Sequence, residues 1–293
     1  MFFFSFLLFF LQCVYAAPGR RRSDLSEGCS TEVPESFANI LKRSKTVDSV
    51  RRDNHALFPR GNGTNETITI DVYFHVLADG AAEEKGNYRD DVYKKQLAQL
   101  NNDFNPYGFR FNLKEIDRWL LPYPYLTPNA DYSIKRQLRK GGWSTLNIYT
   151  VHIGNGTIGT STMPHDTDKH PVGSVECYLD GVVISNEALP GIDPNGDRSQ
   201  GKTATHGVGH WLGLEHTYSH GCDGEGDGID DTPSMRLLSN GGCAVGADTC
   251  PGEHGLDPVR NFMSFSEDEC LNEFTKGQVE RMKWTWETFR KGR

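Results

Sequence analysis

The feature that most constrains this chain is the run Thr203–Thr217, which reads T-A-T-H-G-V-G-H-W-L-G-L-E-H-T. It places histidines at 206, 210 and 216, with Gly213 between the second and third. On a helix, His206 and His210 lie one turn apart, so both imidazoles leave the same face. Zinc takes neutral imidazole nitrogen at about 2.0–2.1 Å, and this spacing supplies two ligands without backbone strain. A third ligand has to arrive from another direction. Gly213 lets the chain leave the helix in a left-handed conformation, after which His216 can return to the metal. The fourth position stays open for water, which marks a catalytic site rather than a closed structural one. Three unrelated helix histidines are the alternative, but they rarely share this spacing and this glycine.

The pattern matches H-E-x-x-H-x-x-G-x-x-H with one departure: Gly207 stands where the motif has Glu. That Glu is the general base that takes a proton from the metal-bound water and then passes it to the leaving amine. A positioned base contributes on the order of 10²–10⁴-fold, and glycine has no side chain for the task. No catalytic residue is therefore assigned. Glu215 precedes the third ligand and should project away from it, and neither Glu187 nor Asp197 is placed by the sequence as a substitute. Gly207 and Gly209 each also cost the helix about 1 kcal/mol relative to a good helix former.

The compartment follows from the ends and the cysteines. Residues 1–17 are nearly all Phe and Leu up to Leu11 and finish in Val14-Tyr15-Ala16-Ala17. The apolar run is too short to span a bilayer and reads as a secretory signal peptide cut after Ala16 or Ala17. Removing Cys13 with it leaves Cys29, Cys177, Cys222, Cys243, Cys250 and Cys270, an even set that reads as disulfides in an exported chain. Asn62, Asn65 and Asn155 each head a glycosylation sequon. A net charge of -8 argues against nucleic acid and an anionic membrane surface as partners.

Residues 18–66 lack clear periodicity and carry the basic clusters Arg20-Arg21-Arg22, Lys42-Arg43 and Arg51-Arg52. They read either as a pro-segment removed on maturation or as a solvated leader. Residues 67–293 form the main domain. Strands are expected at 67–77, 109–119, 146–153, 157–164 and 179–185, and helices at 88–104, 132–138 and 200–212. A closing helix at 274–289 starts with a Thr275/Gln278 capping box and buries Val279, Met282, Trp286 and Phe289. Between 218 and 274 the chain is rich in Gly and Asp and holds four of the cysteines. This is an α+β layout with a mixed sheet, an active-site helix and a loop-rich C-terminal half. Asp223–Asp231 packs five carboxylates into nine residues, which suits Ca2+ or a solvated acidic loop.

Beyond the histidines, Asp231-Thr232-Pro233, Asp248-Thr249-Cys250-Pro251, Asn261-Phe262-Met263-Ser264-Phe265-Ser266 and Phe274-Thr275 through Met282 form a second set of motifs. Together with the histidine run they resemble the pappalysin family of metzincin zinc metalloproteases, of the secreted fungal extracellular type, over about 68–290. The resemblance implies a zincin fold, one Zn2+ per chain on His206, His210 and His216, and Met263 as the hydrophobic floor beneath them. It implies disulfides Cys222–Cys250 and Cys243–Cys270, and calcium near the acidic loop. Cys29 and Cys177 then remain: they pair with each other, or Cys29 caps the zinc in a latent form. The implied activity is secreted metalloendopeptidase action on proteins or peptides. With Gly207 in the base position, the alternative is an inactive zinc-binding relative that acts as a secreted binding protein.

Overall fold

The computed structural model describes residues 29–31, 33–39, 66–121, 128–153, 157–192, 198–237 and 242–293. The expected signal peptide, the basic clusters, the three sequons and Asp197 lie outside the described residues. The elements run β1 (Cys29–Ser30), α1 (residues 35–39), β2 (Ile68–Ala78), α2 (Asp90–Phe104), β3 (Phe109–Leu120), α3 (Pro128–Leu138), β4 (Leu146–Val151), β5 (Gly159–Ser161), α4 (Val175–Leu179), β6 (Val182–Ser185), α5 (Lys202–Trp211) and α6 (Lys276–Thr285). Six strands form one sheet in the order β1-β5-β6-β4-β2-β3. The pairings are parallel except β5 against β6, so the sheet is mixed, as expected.

The alternation in β2 sends Ile70, Val72, Phe74 and Val76 into the main core. There they meet Leu100 and Phe104 from α2, Ala204, Val208 and Trp211 from α5, and Met282 from α6. Leu77, Leu138, Tyr149, Val151 and Val183 make a second cluster that includes the end of α3. The metal-motif helix α5 is thus a core element, and all ten of its residues are buried. Burying an apolar side chain contributes about 1.5–3 kcal/mol, which outweighs the poor helix propensity of Gly207 and Gly209. Among the described residues, no helix is long and apolar enough to cross a membrane.

Three expectations change. The strand expected at 179–185 is split: α4 ends at Leu179 and β6 begins at Val182. Gly181, at φ +134, makes the break. Asp180 is fully buried beside it, ion-paired to Arg139 and Arg290 at 3.3 and 3.2 Å. Burial alone would raise this carboxyl, but Arg290 and Arg139 outweigh it and hold its pKa below the ordinary value. The closing helix is α-helical only to Thr285 and then widens to a π turn over Trp286–Arg290, with the expected capping box formed. That turn carries Arg290 under α5, where its guanidinium lies 3.5 Å from the Trp211 ring centre and donates to the Trp211 carbonyl. Finally, Cys177 is a free, buried thiol and does not pair with Cys29. α4 sets it in the core behind the Asp180 turn. The other four cysteines form Cys222–Cys250 and Cys243–Cys270, the pairs implied by the resemblance, across a stretch with little regular structure.

The exit of α5 is set by Gly213, at φ +88. Its turn lets the Leu214 amide donate to the Gly209 carbonyl at 3.0 Å. A Cβ at Gly213 would stand 2.4 Å from Thr285 Oγ1 and 3.0 Å from Phe37 Cζ. Phe37 belongs to α1 and packs edge-on against Phe289, so this part of residues 18–66 is packed on the domain. Gly213→Ala is expected to lower stability by about 1–3 kcal/mol through left-handed backbone strain and the clash with Thr285. Urea unfolding measures it, and an unchanged midpoint and slope would contradict this account of the turn.

Candidate metal centre

Helix α5 begins without a capping side chain of its own, because its N-cap is Gly201 in the left-handed region. Asp268 supplies the missing acceptor from a distant loop: one carboxylate oxygen takes the N–H of Gln200 at 2.9 Å and that of Lys202 at 3.3 Å. Asp103 of α2 holds the same turn from the other side. It accepts from Lys202 Nζ and Thr205 Oγ1, both at 2.6 Å, and from Gln99 at 2.8 Å. Thr205 immediately precedes His206, so Asp103 fixes the rotation of the first metal-motif histidine. None of these partners carries a motif. A polar Asp103 on the buried face of α2 is the one trace the sequence offers.

The structure brings His206, His210 and His216 together. His210 Nε2 lies 3.0 Å from His206 Nε2 and 3.1 Å from His216 Nε2. Two nitrogens of one tetrahedral ion at bond lengths of about 2.0–2.1 Å stand about 3.3 Å apart, so the spacing fits a shared metal. The other ring nitrogens fix the tautomers. His206 Nδ1–H donates to the Phe262 carbonyl at 2.8 Å, and His210 Nδ1–H donates to the Leu214 carbonyl at 2.7 Å. A carbonyl only accepts, so both Nε2 atoms present lone pairs. The Gly213 turn therefore also delivers the carbonyl that orients His210. His216 is stacked on Tyr218 with ring centres 4.5 Å apart.

Burial keeps all three imidazoles neutral. His206 is held well below its ordinary value by burial first, then by His210 and Arg198, against the opposing Phe262 carbonyl. His210 is lowered to about 4 by burial, partly offset by the Leu214 carbonyl. His216 is lowered by burial and by its two histidine neighbours. Neutral imidazole is the ligating form. Among the described residues this is the one group of three or more His, Cys, Asp or Glu side chains whose ligand atoms all lie within 4.8 Å of one another.

Met263 is fully buried. Its amide donates to Asn261 Oδ1 at 2.9 Å, and Asn261 exchanges side-chain hydrogen bonds with Gln278 at the start of α6. A Cβ at Gly209 would stand 2.4 Å from Met263 Sδ, so the glycine that weakens the helix is what lets Met263 pack against it. Gly207 presents only backbone, and its carbonyl accepts from Ser161 Oγ at 2.8 Å. A Cβ here would stand 2.6 Å from Val182 Cγ1, so any side chain at 207 requires Val182 to turn. Among the described residues, neither Glu named as a candidate replaces the absent carboxylate. Glu215 faces another cavity beside His220, and Glu187 pairs with His152 at the surface.

That other cavity, about 640 Å³, is lined by Glu215, Asp223, Glu225, Asp227, His220 and Arg281. Of the five carboxylates in Asp223–Asp231, three reach it. Asp231 instead accepts from the Gly277 amide at the start of α6. Asp227 is buried and raised to about 7, chiefly by burial. One of its oxygens accepts from the Ile229 amide, and the other has no hydrogen-bond partner.

The comparisons with known proteins agree with this geometry. Residues 142–287 match the Peptidase_M43 family model, described as pregnancy-associated plasma protein-A. Extracellular metalloprotease 1 of Coccidioides posadasii is 41% identical over 226 residues, 77% of this chain and 79% of the relative. An extracellular metalloprotease of Verticillium alfalfae is 37% identical over 272 residues, 92% of each chain. Mature mirolysin of Tannerella forsythia, solved in complex with a cleaved peptide, superposes with a TM-score of 0.64 at 27% identity, covering 74% of this chain and 91% of that one. Promirolysin of the same organism gives 0.68 at 26% identity over 89% and 95%. This chain therefore belongs to the pappalysin family of extracellular metalloproteases, a family whose chemistry requires a metal ion and whose substrates are peptides or proteins.

Proposed function

We propose that this chain is a secreted zinc protein of the extracellular metalloprotease type that engages peptides but hydrolyses them slowly. The observation that carries the reading is the convergence of three imidazole Nε2 nitrogens beside a residue with no side chain. His206, His210 and His216 are the assigned Zn2+ ligands, and Met263 is assigned to the floor beneath them. Zn2+ held by these residues would polarise a substrate carbonyl and lower the pKa of its water to about 7. The Phe262 and Leu214 carbonyls keep two of the rings turned so that Nε2 faces inward. Gly207 supplies neither the base that would take the water proton nor the acid that would protonate the leaving amine. The expected rate is lower by about 10²–10⁴-fold than that of the same site with a carboxylate.

Residues 1–17 are assigned as the signal peptide, residues 18–66 as a leader or pro-segment, and Asn62, Asn65 and Asn155 as glycosylation sites. The extracellular names of the relatives support export. The mirolysin complex with a cleaved peptide supports peptides as ligands.

The test is cleavage of casein by zinc-loaded protein beside Gly207→Glu and Gly207→Glu/Val182→Ala, the second of which relieves the contact with Val182. At least one carboxylate variant is expected to cleave about 10²–10⁴-fold faster. A chain as written that matches both variants within about twofold would contradict the role given to Gly207. Protein that loses zinc on dialysis would contradict the ligand assignment.

The cavity around Asp227 is assigned to Ca2+, a hard cation that takes carboxylate oxygen. The unpartnered oxygen of a buried carboxylate supports this. The folded pKa of Asp227, about 7, lies above its unfolded value of about 3.9. Its contribution to stability is thus fully present below about pH 4 and is lost as pH rises through about 7. Calcium favours the ionised form and offsets that loss. The rise in Tm on adding calcium should therefore be larger at pH 7.5 than at pH 5, and absent in Asp227→Asn. An equal rise in both proteins would contradict the assignment.

A further inference from the structure

The described part of the leader meets the domain at the acidic cavity. Helix α1 is anchored by Phe37, which is fully buried against Met163 and Phe289. The two phenyl rings meet edge-on with centres 5.6 Å apart. The Phe37 ring also lies over the Gly213 turn, where a Cβ would stand 3.0 Å from its Cζ. Two residues beyond Gly213, Glu215 lines the cavity together with Asp223, Glu225 and Asp227. Val33 and Ala38, on either side of Phe37 in the leader, line the same cavity. One leader segment thus does two things. Its aromatic ring seats on the turn that leads to Glu215, and its small apolar side chains form part of the wall beside the carboxyl groups. Among the described lining residues, four carboxyl groups share that wall with Arg281 and with His220, which stands 3.5 Å from Glu215. Asp227 is buried and one of its oxygens has no hydrogen-bond partner. Apolar surface laid beside carboxylates takes water from them and lowers the local dielectric. Without a cation, this strengthens their mutual repulsion and opposes docking of α1. With a cation, the lower dielectric strengthens the attraction instead, and docking is favoured.

We propose that docking of α1 and binding of Ca2+ in the acidic cavity are coupled, so that the leader is a clasp whose hold on the domain depends on the cation. This inference rests on the calcium reading above. A cavity of about 640 Å³ has room for a cation that keeps some of its water, as Ca2+ with its roughly six to eight oxygen ligands does. The coupling has an electrostatic part, carried by the apolar wall of Val33 and Ala38. It also has a mechanical part, because Phe37 and Glu215 act on one short stretch of chain at the Gly213 turn. Binding linkage is reciprocal, so the factor by which calcium tightens α1 is the factor by which docked α1 tightens calcium. Where calcium is plentiful the leader stays packed on the turn, and where calcium is scarce it loosens.

The test uses the full chain, loaded with zinc first, then titrated with calcium chloride by calorimetry and followed by hydrogen exchange with mass spectrometry. The Ala38 amide donates to the Pro34 carbonyl at 2.9 Å within α1, so its exchange reports local opening of the clasp. Calcium is expected to slow that exchange at least about fivefold, and by a smaller factor in β2. Phe37→Ala frees α1 while leaving every carboxyl group of the cavity in place, and it is expected to weaken calcium by about the factor seen in exchange. Phe37→Leu is expected to keep most of the affinity, and Asp227→Asn to lose both the binding and the slowing. Calcium that binds the chain as written but leaves Ala38 unchanged, or slows α1 and β2 alike, would overturn the proposal, and this arm needs no variant. So would Phe37→Ala that binds calcium as tightly as the chain as written. Failure of the chain as written to bind calcium would instead sink the reading on which this one rests.

Discussion

The centre depends on three buried imidazoles staying neutral while their Nε2 atoms stand 3.0 and 3.1 Å apart, a spacing at which they would share one ion. Desolvation enforces neutrality, and two backbone carbonyls enforce the tautomer. Both carbonyls come from segments with no repeating hydrogen-bond pattern. Phe262 lies in the loop before α6, and Leu214 follows the Gly213 turn. Irregular backbone is what makes their oxygens available, because in a helix or strand they would already be paired. The disulfides and the Asn261–Gln278 pair hold that backbone where regular structure does not.

Helix α5 carries two of the three rings and is fixed at both ends by groups from elsewhere. Asp268 and Asp103 hold its first turn, and Arg290 with Asp180 holds its last residue. Each is a buried charge with a partner, so removal of either member leaves the other exposed to a large desolvation cost. Their effect is to limit the rotation and sliding of α5 against the sheet. The same closeness explains why Gly207 and Gly209 are tolerated in a helix: Val182 and Met263 fill the space on either side.

The histidine triad was legible because helical geometry converts a spacing of four into a shared face, and Gly213 marks where the helix must end. The alternating strands and the Thr275/Gln278 capping box were legible for the same reason: their signals are local. The family resemblance carried the disulfide pairs. What sequence could not place was non-local. Asp103, Asp268 and Ser161 reach α5 from elements distant in sequence, and no spacing between them encodes the contact. Asp180 looked like part of a strand because it sits in a largely apolar run, yet Arg139 and Arg290 capture it and Gly181 turns the chain. Cys177 was read by count, and a count does not say which thiols meet; it is a free, buried thiol.

The central claim is a three-imidazole metal centre with no sulfur and no protein carboxylate in its shell. Zinc K-edge X-ray absorption on the purified protein tests it most directly. The account predicts a first shell of nitrogen and oxygen at about 2.0–2.1 Å with the outer-shell scattering of three imidazoles. A sulfur scatterer at about 2.3 Å, or scattering from two imidazoles or fewer, would contradict it.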